Sequence, residues 1–153
     1  MILRLELKDV MVTDLVTVAL DVGVQVATRI MNDFEIGCLL VVSGRRLVGI
    51  VTERDILRRV VVKRRDPAKT KISEVMSQKL ITVTPETPLE KAIQVMFKHK
   101  IKKLPVVEKG KLVGLVTFTD LVRIEPVITK YIQKLASKYS LPPKMKKHLP
   151  YIA

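Results

Sequence analysis

The sequence predicts an α+β protein built from two copies of one folding unit, followed by an amphipathic helix near the C-terminus. The main observation is a repeat, because LVGIVTERD at residues 47–55 returns as LVGLVTFTD at residues 112–120, 65 positions later. The match continues without a gap over residues 10–58 and 75–123. Within each copy, apolar residues recur at the spacings of strands and helices. A tandem repeat whose two copies fold alike is therefore predicted.

Each repeat is predicted to contain a strand, a helix, two strands and a helix. The first strand is predicted at residues 15–18 and 80–83, and the helix that follows carries its apolar residues on one face. Thr87, Pro88 and Glu90 fit the N-cap, N1 and N3 positions of the second-repeat helix. The predicted core faces are Val26, Ala27, Ile30, Met31 and Phe34 in the first repeat, and Leu89, Ala92, Ile93, Met96 and Phe97 in the second.

A β-hairpin is predicted after the first helix of each repeat. Its strands are residues 38–42 and 47–51 in the first repeat, and residues 104–107 and 112–116 in the second. A glycine in each loop supplies the positive φ angle that such turns often need. The nearly continuous apolar character predicts strands buried on both faces, which one repeat alone cannot cover. The two sheets are therefore expected to pack as a pair.

Charge and composition limit the classes of function. The 153 residues carry a net charge of +13, and basic residues are concentrated between the repeats and in residues 126–153. Such a chain attracts polyanions, which include nucleotide phosphates, nucleic acids and acidic proteins. The longest apolar run, residues 38–42, is too short to cross a membrane, and residues 1–10 lack the apolar core of a signal peptide. A cytoplasmic protein without a transmembrane segment is expected.

Each hairpin is followed by a Thr-x-x-Asp motif, which is Thr52 with Asp55 and Thr117 with Asp120. A threonine three residues before an acid is typical of a capped helix start, and a helix is predicted to follow in each repeat. The same helix start can also hold a phosphate on its free amide groups, and the carboxylate can accept hydrogen bonds from the two hydroxyls of a ribose. A helix cap and a nucleotide site are both open interpretations of this motif.

The order of elements, the Leu-Val-Gly-Ile/Leu-Val-Thr-x-x-Asp signature and the string IKKLPVV at residues 101–107 together resemble the CBS domain family. Residues 8–124 are similar to a tandem CBS pair, also called a Bateman module. The resemblance implies a βαββα unit at residues 8–60 and another at residues 73–124, joined by a basic linker at residues 61–72. It also implies that the two sheets pack as a pseudo-twofold pair, that two clefts bind adenine nucleotides, and that modules associate into homodimers.

The resemblance places each cleft between the repeats, with AMP, ADP or ATP as the expected ligand, S-adenosyl methionine as an alternative, and no required cofactor or metal. The residues expected at the first cleft are Thr52, Arg54, Asp55, Leu80, Ile81, Thr82, Lys102 and Lys103. The residues expected at the second cleft are Thr117, Asp120, Leu15, Val16, Thr17, Ile36, Gly37 and Cys38. Because the second set has no lysine pair, the first cleft is expected to favour more phosphates.

Residues 125–153 lie outside the resemblance, and a helix that ends before Pro142 is predicted there. Docking onto the module or a second subunit, contact with an anionic membrane, and contact with nucleic acid are the three interpretations of this helix. Its predicted apolar face consists of Val127, Ile128, Tyr131, Ile132, Leu135 and Tyr139, and a basic row consists of Lys130, Lys134 and Lys138.

The expected function is that of a stand-alone regulatory module, which senses adenine nucleotides and modulates an unidentified partner protein with reciprocal coupling. The alternative is a basic nucleic-acid-binding protein with a CBS scaffold, for which a steep salt dependence would be diagnostic. An enzyme is not expected, because His99, His148 and the lone Cys38 form no evident nucleophile–base or metal-ligand set with the scattered acids. Cys38 lies in an apolar run and is expected to be buried.

Overall fold

Both repeats fold as mixed α+β units in the computed structural model, which describes residues 5–124 and 126–139 and all of their side chains except those of residues 126–129. The predicted apolar contacts of Val127 and Ile128 and the whole tail from residue 140, with Pro142, lie outside the described residues. The element order of the first repeat follows the predicted βαββα pattern, and the second repeat has the same order without a first strand.

The helices and strands have the following bounds. The first repeat contains β1 (Thr17–Ala19), α1 (Val24–Asp33), β2 (Cys38–Ser43), β3 (Arg46–Thr52) and α2 (Glu53–Ile56), which continues into a π-helical turn at Leu57–Val61. The second repeat contains α3 (Leu89–His99), β4 (Lys103–Glu108), β5 (Lys111–Thr117) and α4 (Phe118–Ile124), and α5 (Pro126–Lys138) follows. Short 3₁₀ turns lie at Leu7–Asp9 and Ile72–Glu74.

The predicted hairpins are confirmed to within one residue at each strand end. In the first repeat, β1 pairs in parallel with β2, and β2 pairs antiparallel with β3. In the second repeat, β4 and β5 form a two-stranded sheet. The hairpin loops contain Gly44 with φ 62° and Gly110 with φ 76°, so the predicted need for a positive φ at these glycines is also confirmed.

The strand predicted at residues 80–83 is wrong, because this stretch forms only an isolated bridge at Val83. Val83 pairs in parallel with Val106 and donates its N–H to the carbonyl of Pro105 at 3.1 Å. Extending this ladder would need an N–H group on Pro105 at one end and on Pro85 at the other, and proline has none. Leucines stand at both equivalent positions of the first repeat, where β1 forms three pairs, although it starts two residues later than predicted.

The core face of α3 is confirmed, since all five of its predicted residues are buried. The predicted face of α1 is wrong at two positions, because Val26 is 51% exposed and Phe34 is 61% exposed. The buried stripe of α1 instead runs through Val24, Ala27 and Met31, which follow the spacing of one helix face. Val26 lies about 200° around the helix from Val24, and Phe34 follows the last helical residue.

The α5 helix belongs to the core of the second-repeat half. Ile132 is fully buried and Leu135 is 9% exposed. The side-chain amide of Gln94 on α3 donates a hydrogen bond to the hydroxyl of Tyr131 at 2.7 Å. The docking interpretation of this helix is therefore confirmed for its described side chains. The exposed side of the helix carries Lys130, Lys134 and Lys138.

The two compact units of the structure do not coincide with the two sequence repeats. Residues 5–13, at the start of the described chain, pack with the second repeat, and residues 62–80, which follow the π-helical turn of the first repeat, pack with the first repeat. We call these two stretches the exchanged segments. We call these bodies the first-repeat unit, with residues 14–80 and 109–112, and the second-repeat unit, with described residues 5–13, 81–108, 113–124 and 126–139.

Equivalent hydrogen bonds hold the two exchanged segments. In the second-repeat unit, the N–H of Leu89 at the start of α3 donates to the carbonyl of Leu5 at 3.2 Å. In the first-repeat unit, the N–H of Val24 at the start of α1 donates to the carbonyl of Thr70 at 2.8 Å. Each segment therefore satisfies one of the amides that a helix start leaves without an intrahelical partner.

The predicted N-cap role of Thr87 is wrong. The α3 helix begins at Leu89, and its N-cap is Pro88, which makes no side-chain hydrogen bond. The hydroxyl of Thr87 instead accepts the N–H of Thr84 at 3.1 Å, because the chain turns at residues 84–87 before the helix starts. Glu90 is consequently the second helical residue and lies one position earlier than predicted.

Two acidic residues, Asp66 and Glu74, form hydrogen bonds and an ion pair within the basic segment between the repeats. The carboxylate of Asp66 accepts the N–H of Ala68 at 2.9 Å, and the carboxylate of Glu74 accepts the N–H of Lys71 at 2.7 Å and pairs with Arg65. The pKa of Glu74 lies below its ordinary value, mainly because the carboxylate accepts the backbone N–H of Lys71 and also because of the positive charge of Arg65. Glu74 therefore stabilises the fold above its ordinary pKa, and this contribution is lost as the pH falls through the lowered pKa.

Candidate ligand site at the two Thr-x-x-Asp helix starts

The first Thr-x-x-Asp motif forms a complete capping box. Thr52 is the last residue of β3 and the N-cap of α2. Its backbone N–H and its hydroxyl both donate to Oδ2 of Asp55, at 2.8 Å and 3.0 Å. The N–H of Asp55 donates to Oγ1 of Thr52 at 3.2 Å. The helix-cap interpretation is therefore confirmed in the first repeat.

The second motif repeats this geometry atom for atom. The N–H and hydroxyl of Thr117 donate to Oδ2 of Asp120 at 3.2 Å and 2.6 Å. The N–H of Asp120 donates to Oγ1 of Thr117 at 3.1 Å. Because both copies cap a helix in this way, the cap by itself explains why threonine and aspartate recur at this spacing.

The cap occupies only half of each carboxylate. Oδ2 accepts both hydrogen bonds from the threonine, which matches the two lone pairs of a carboxylate oxygen. Oδ1 accepts neither of them, and Asp55 and Asp120 are both only partly buried. The cap holds the side chain in one rotamer, with Oδ2 bound to the threonine and Oδ1 outside these hydrogen bonds. This arrangement leaves an oriented, anionic acceptor at each site.

The two sites differ in the residue four positions after the aspartate. In the first repeat, Nη2 of Arg59 lies 3.6 Å from Oδ1 of Asp55. In the second repeat, Ile124 stands at the equivalent position and brings no charge to Asp120. Our interpretation of the sequence missed Arg59, although the i, i+4 spacing of an acid and an arginine on a helix was an available signal.

Hydrogen bonds place one further predicted stretch beside each motif. The N–H of Glu53 donates to the carbonyl of Gly37 at 3.1 Å, and Cys38 pairs with Thr52 in the sheet. The N–H of Phe118, next to Thr117, donates to the carbonyl of Lys102 at 2.7 Å. Within their units, residues 36–38 thus adjoin the first motif and Lys102 adjoins the second. Their assignment to the opposite clefts stays a prediction.

The other predicted site residues are divided between the units, so the composition of each cleft also stays a prediction. In the first-repeat unit, Leu15, Val16, Ile36 and Leu80 are partly buried, Cys38 is buried, and Thr17 and Arg54 are exposed. In the second-repeat unit, Ile81, Lys102 and Lys103 are partly buried, and Thr82 is exposed.

Two classes of site find no support in the part of the chain that the structure describes. No group of three or more His, Cys, Asp and Glu side chains within it could hold a metal ion. None of its helices has both the length and the apolar character that a membrane span requires. Cys38 is buried, as predicted.

Comparison with known proteins identifies the family. The structure contains two βαββα-like repeats in tandem, with a capped Thr-x-x-Asp helix start in each. The family model for the CBS domain matches residues 7–62 and 72–126, and the chain therefore belongs to the CBS domain family. It is 40% identical over 114 residues to the CBS domain-containing protein YhcV of Bacillus subtilis, covering 74% of this chain and 81% of that protein.

A solved structure and an enzyme agree with this assignment. The crystal structure of an uncharacterized conserved protein from Pyrococcus horikoshii matches with a TM-score of 0.73 and 34% identity, covering 80% of this chain and 92% of that one. Inosine-5′-monophosphate dehydrogenase of Korarchaeum cryptofilum is 39% identical over 110 residues, which are 71% of this chain but 22% of the enzyme. The likeness to the enzyme is thus confined to a small part of it.

Proposed function

We propose that this chain is a regulatory module that binds an adenine nucleotide at its Thr-x-x-Asp sites and modulates a partner protein. The family is generally regulatory and nucleotide-binding. The observation that carries the proposal is that Asp55 and Asp120 each keep Oδ1 outside the helix cap. Because the threonine uses only Oδ2, this second oxygen can accept hydrogen bonds from a bound ribose while the cap stays intact.

The chemistry of a ribose fits the oriented carboxylate. The vicinal 2′- and 3′-hydroxyls are hydrogen-bond donors, and the two lone pairs of Oδ1 can accept them. Because the cap already fixes the aspartate rotamer, binding costs little side-chain entropy. AMP, ADP and ATP all present this diol, and so does S-adenosyl methionine. The number of phosphates that each site prefers then depends on the cations around it, for which Arg54, Lys102 and Lys103 are the candidates at the first cleft.

Paired alanine variants test both the site and the ranking of the clefts. If the three cations act on the first cleft, Asp55→Ala should remove the tighter phase of a calorimetric ATP titration, and Asp120→Ala should leave it intact. Losing a charge-assisted hydrogen bond typically costs about 1.5–3 kcal/mol, or roughly 10- to 100-fold in affinity. Each variant is the control for the other, because both lose the same cap.

Two outcomes contradict parts of this proposal separately. If Asp120→Ala removes the tighter phase and Asp55→Ala does not, the ranking of the clefts is wrong. If the nucleotide-free wild-type protein binds none of AMP, ADP, ATP and S-adenosyl methionine, the nucleotide site itself is wrong, and the motif is a helix cap alone.

We also propose that the module forms a homodimer. In the first-repeat unit, Phe34, Leu57, Val61 and Val62 are each 58–70% exposed. Leu57 and Val61 lie one helical turn apart, and neighbouring exposed apolar side chains of this kind are typical of interaction sites. Light scattering should give a mass of about twice 17.3 kDa. Val61→Asp should shift the mass to that of the monomer, and a wild-type monomer that nucleotide does not change would contradict the proposal.

A further inference from the structure

Arg59 connects the carboxylate of Asp55 to the segment between the repeats. Its Nη2 lies 3.6 Å from Oδ1 of Asp55 and donates to Oγ of Ser77 at 3.3 Å. Its Nη1 donates to the carbonyl of Val75 at 2.6 Å. All four residues belong to the first-repeat unit. One guanidinium group therefore contacts both the side chain proposed to hold the ribose and a distant segment of the chain.

That segment, residues 75–77, lies along β3. The N–H of Ser77 donates to the carbonyl of Ile50 at 2.8 Å, and the N–H of Ile50 donates back at 3.0 Å. Four residues after Ser77, at residue 81, the chain leaves the first-repeat unit and enters the second-repeat unit. A change in the hold on residues 75–77 would therefore act on the covalent connection between the two repeats.

The second repeat has the same backbone pairing without the arginine. Val12 and Leu115 exchange two backbone hydrogen bonds at 2.9 Å and 3.0 Å, as Ser77 and Ile50 do. Ile124 replaces Arg59 and Val12 replaces Ser77, so neither the cation nor the hydroxyl is present there. The second repeat can therefore serve as a control that has the same backbone pairing but lacks the arginine.

The helix that carries Arg59 is also different in the two repeats. Arg59 lies in the π-helical turn Leu57–Val61, whereas α4 is α-helical throughout its length. Such π turns are rare and frequently occur at functional sites. The two repeats therefore differ at this position in backbone conformation as well as in side chain.

We infer that Arg59 is a positioning residue through which residues 75–77 respond to the charge and occupancy of Asp55. The inference rests on the proposed nucleotide site, whose regulation it describes. A ribose hydroxyl that donates to Oδ1 withdraws negative charge from the carboxylate and weakens its attraction for Arg59. The guanidinium then holds Val75 and Ser77 less firmly. Because the arginine side chain is 44% exposed, water screens the pair, and the effect is about two- to fivefold.

A ligand-free mutant cycle tests the coupling. Asp55→Asn removes the charge of the carboxylate but keeps its shape and a cap acceptor. It should speed hydrogen exchange of the Ser77 amide about two- to fivefold in the wild-type background. In the Arg59→Ile background, which copies the second repeat, the same change should have no effect on that amide. Asp120→Asn is the matched control, and it should leave the Val12 amide unchanged.

Exchange that rises equally with and without Arg59 overturns the inference, since the amide would then report only the weakened cap. A second arm uses saturating ATP. It should speed Ser77 exchange in the wild-type protein but not in Arg59→Ile, although calorimetry detects binding to both. ATP that binds at Asp55 without changing Ser77 exchange in the wild-type protein also overturns the inference. Absence of any ATP binding contradicts the proposed function instead, and the ligand-free cycle still decides the role of Arg59.

Discussion

Replacing Phe97 with alanine is expected to lower the free energy of unfolding by about 3–5 kcal/mol. Phe97 is 1% exposed in the core of the second-repeat unit. Its ring packs edge to face against Phe118, with centroids 5.9 Å apart, and against Tyr139, at 6.3 Å. Alanine would remove both ring contacts and leave a cavity that the neighbouring side chains fill only in part. Such a loss is a large fraction of the roughly 5–15 kcal/mol typical of folded proteins.

Urea unfolding of the Phe97→Ala protein measures this loss. Phe34→Ala is a matched control, because Phe34 is 61% exposed and its removal should change the stability by less than about 0.5 kcal/mol. Phe97→Leu keeps most of the buried apolar volume and should lose clearly less than alanine. Equal losses in the Phe97→Ala and Phe34→Ala variants would contradict the described core. Tyr139 directly follows α5 and packs against the Phe97 ring. Removal of that ring should loosen the end of α5, so trypsin should cleave at Lys134 faster in Phe97→Ala than in the wild-type protein.

The elements of the fold that depend on local patterns were predictable from the sequence. Apolar runs interrupted by a glycine predicted both hairpins, and the spacing of apolar residues predicted the buried face of α3. The missing strand at residues 80–83 needed more than a pattern. Pro85 and Pro105 are visible in the sequence, but only the pairing of Val83 with Val106 shows that both prolines fall where the ladder needs an N–H donor.

The exchange of segments between the repeats could not be predicted from one sequence. Leu7 and Ile72 occupy equivalent positions, both are fully buried, and both precede an acid two residues later. Nothing local distinguishes a segment that packs on its own repeat from one that packs on the other, because the two turns carry the same kinds of residue at equivalent positions. The repeat that is visible in the sequence begins at Val10, so these turns lie outside it.

The candidate site was also predictable only where it depends on local structure. Thr52 and Asp55 have a spacing that predicts the cap, since a capping box is a local structure. Arg59 was harder to place, because its strongest contact is with the backbone carbonyl of Val75, 16 residues away. A carbonyl is present at every residue and leaves no mark in the sequence. Such a contact becomes visible only when the fold brings the two segments together.

The structure explains why a glycine recurs within the second strand of both hairpins. Gly49 and Gly114 lie in β3 and β5, and each is covered by a methionine side chain, Met76 on Gly49 and Met11 on Gly114. A Cβ atom on either glycine would overlap the sulfur of its methionine. Neither glycine has a positive φ angle, so the contact and not the backbone conformation requires glycine here.

Replacing Gly49 with alanine is therefore expected to lower the free energy of unfolding by about 1–3 kcal/mol, the usual cost of overfilling a packed core. Met76 is 8% exposed, so its side chain has little room to move aside. Gly114→Ala should have an effect of the same sign. Met76→Ala makes room for the new methyl group, and the double variant Gly49→Ala with Met76→Ala should lose less than the sum of the single losses, by at least about 0.5 kcal/mol.

Denaturant unfolding of the four proteins in this cycle measures that coupling. Met11→Ala with Gly114→Ala gives the matched cycle in the second-repeat unit, where the same methionine–glycine contact is present. Additive losses in both cycles would mean that the methionines move aside at no cost. The Val-Met pair, at residues 10–11 and 75–76, would then recur for some reason other than contact with the hairpin glycine.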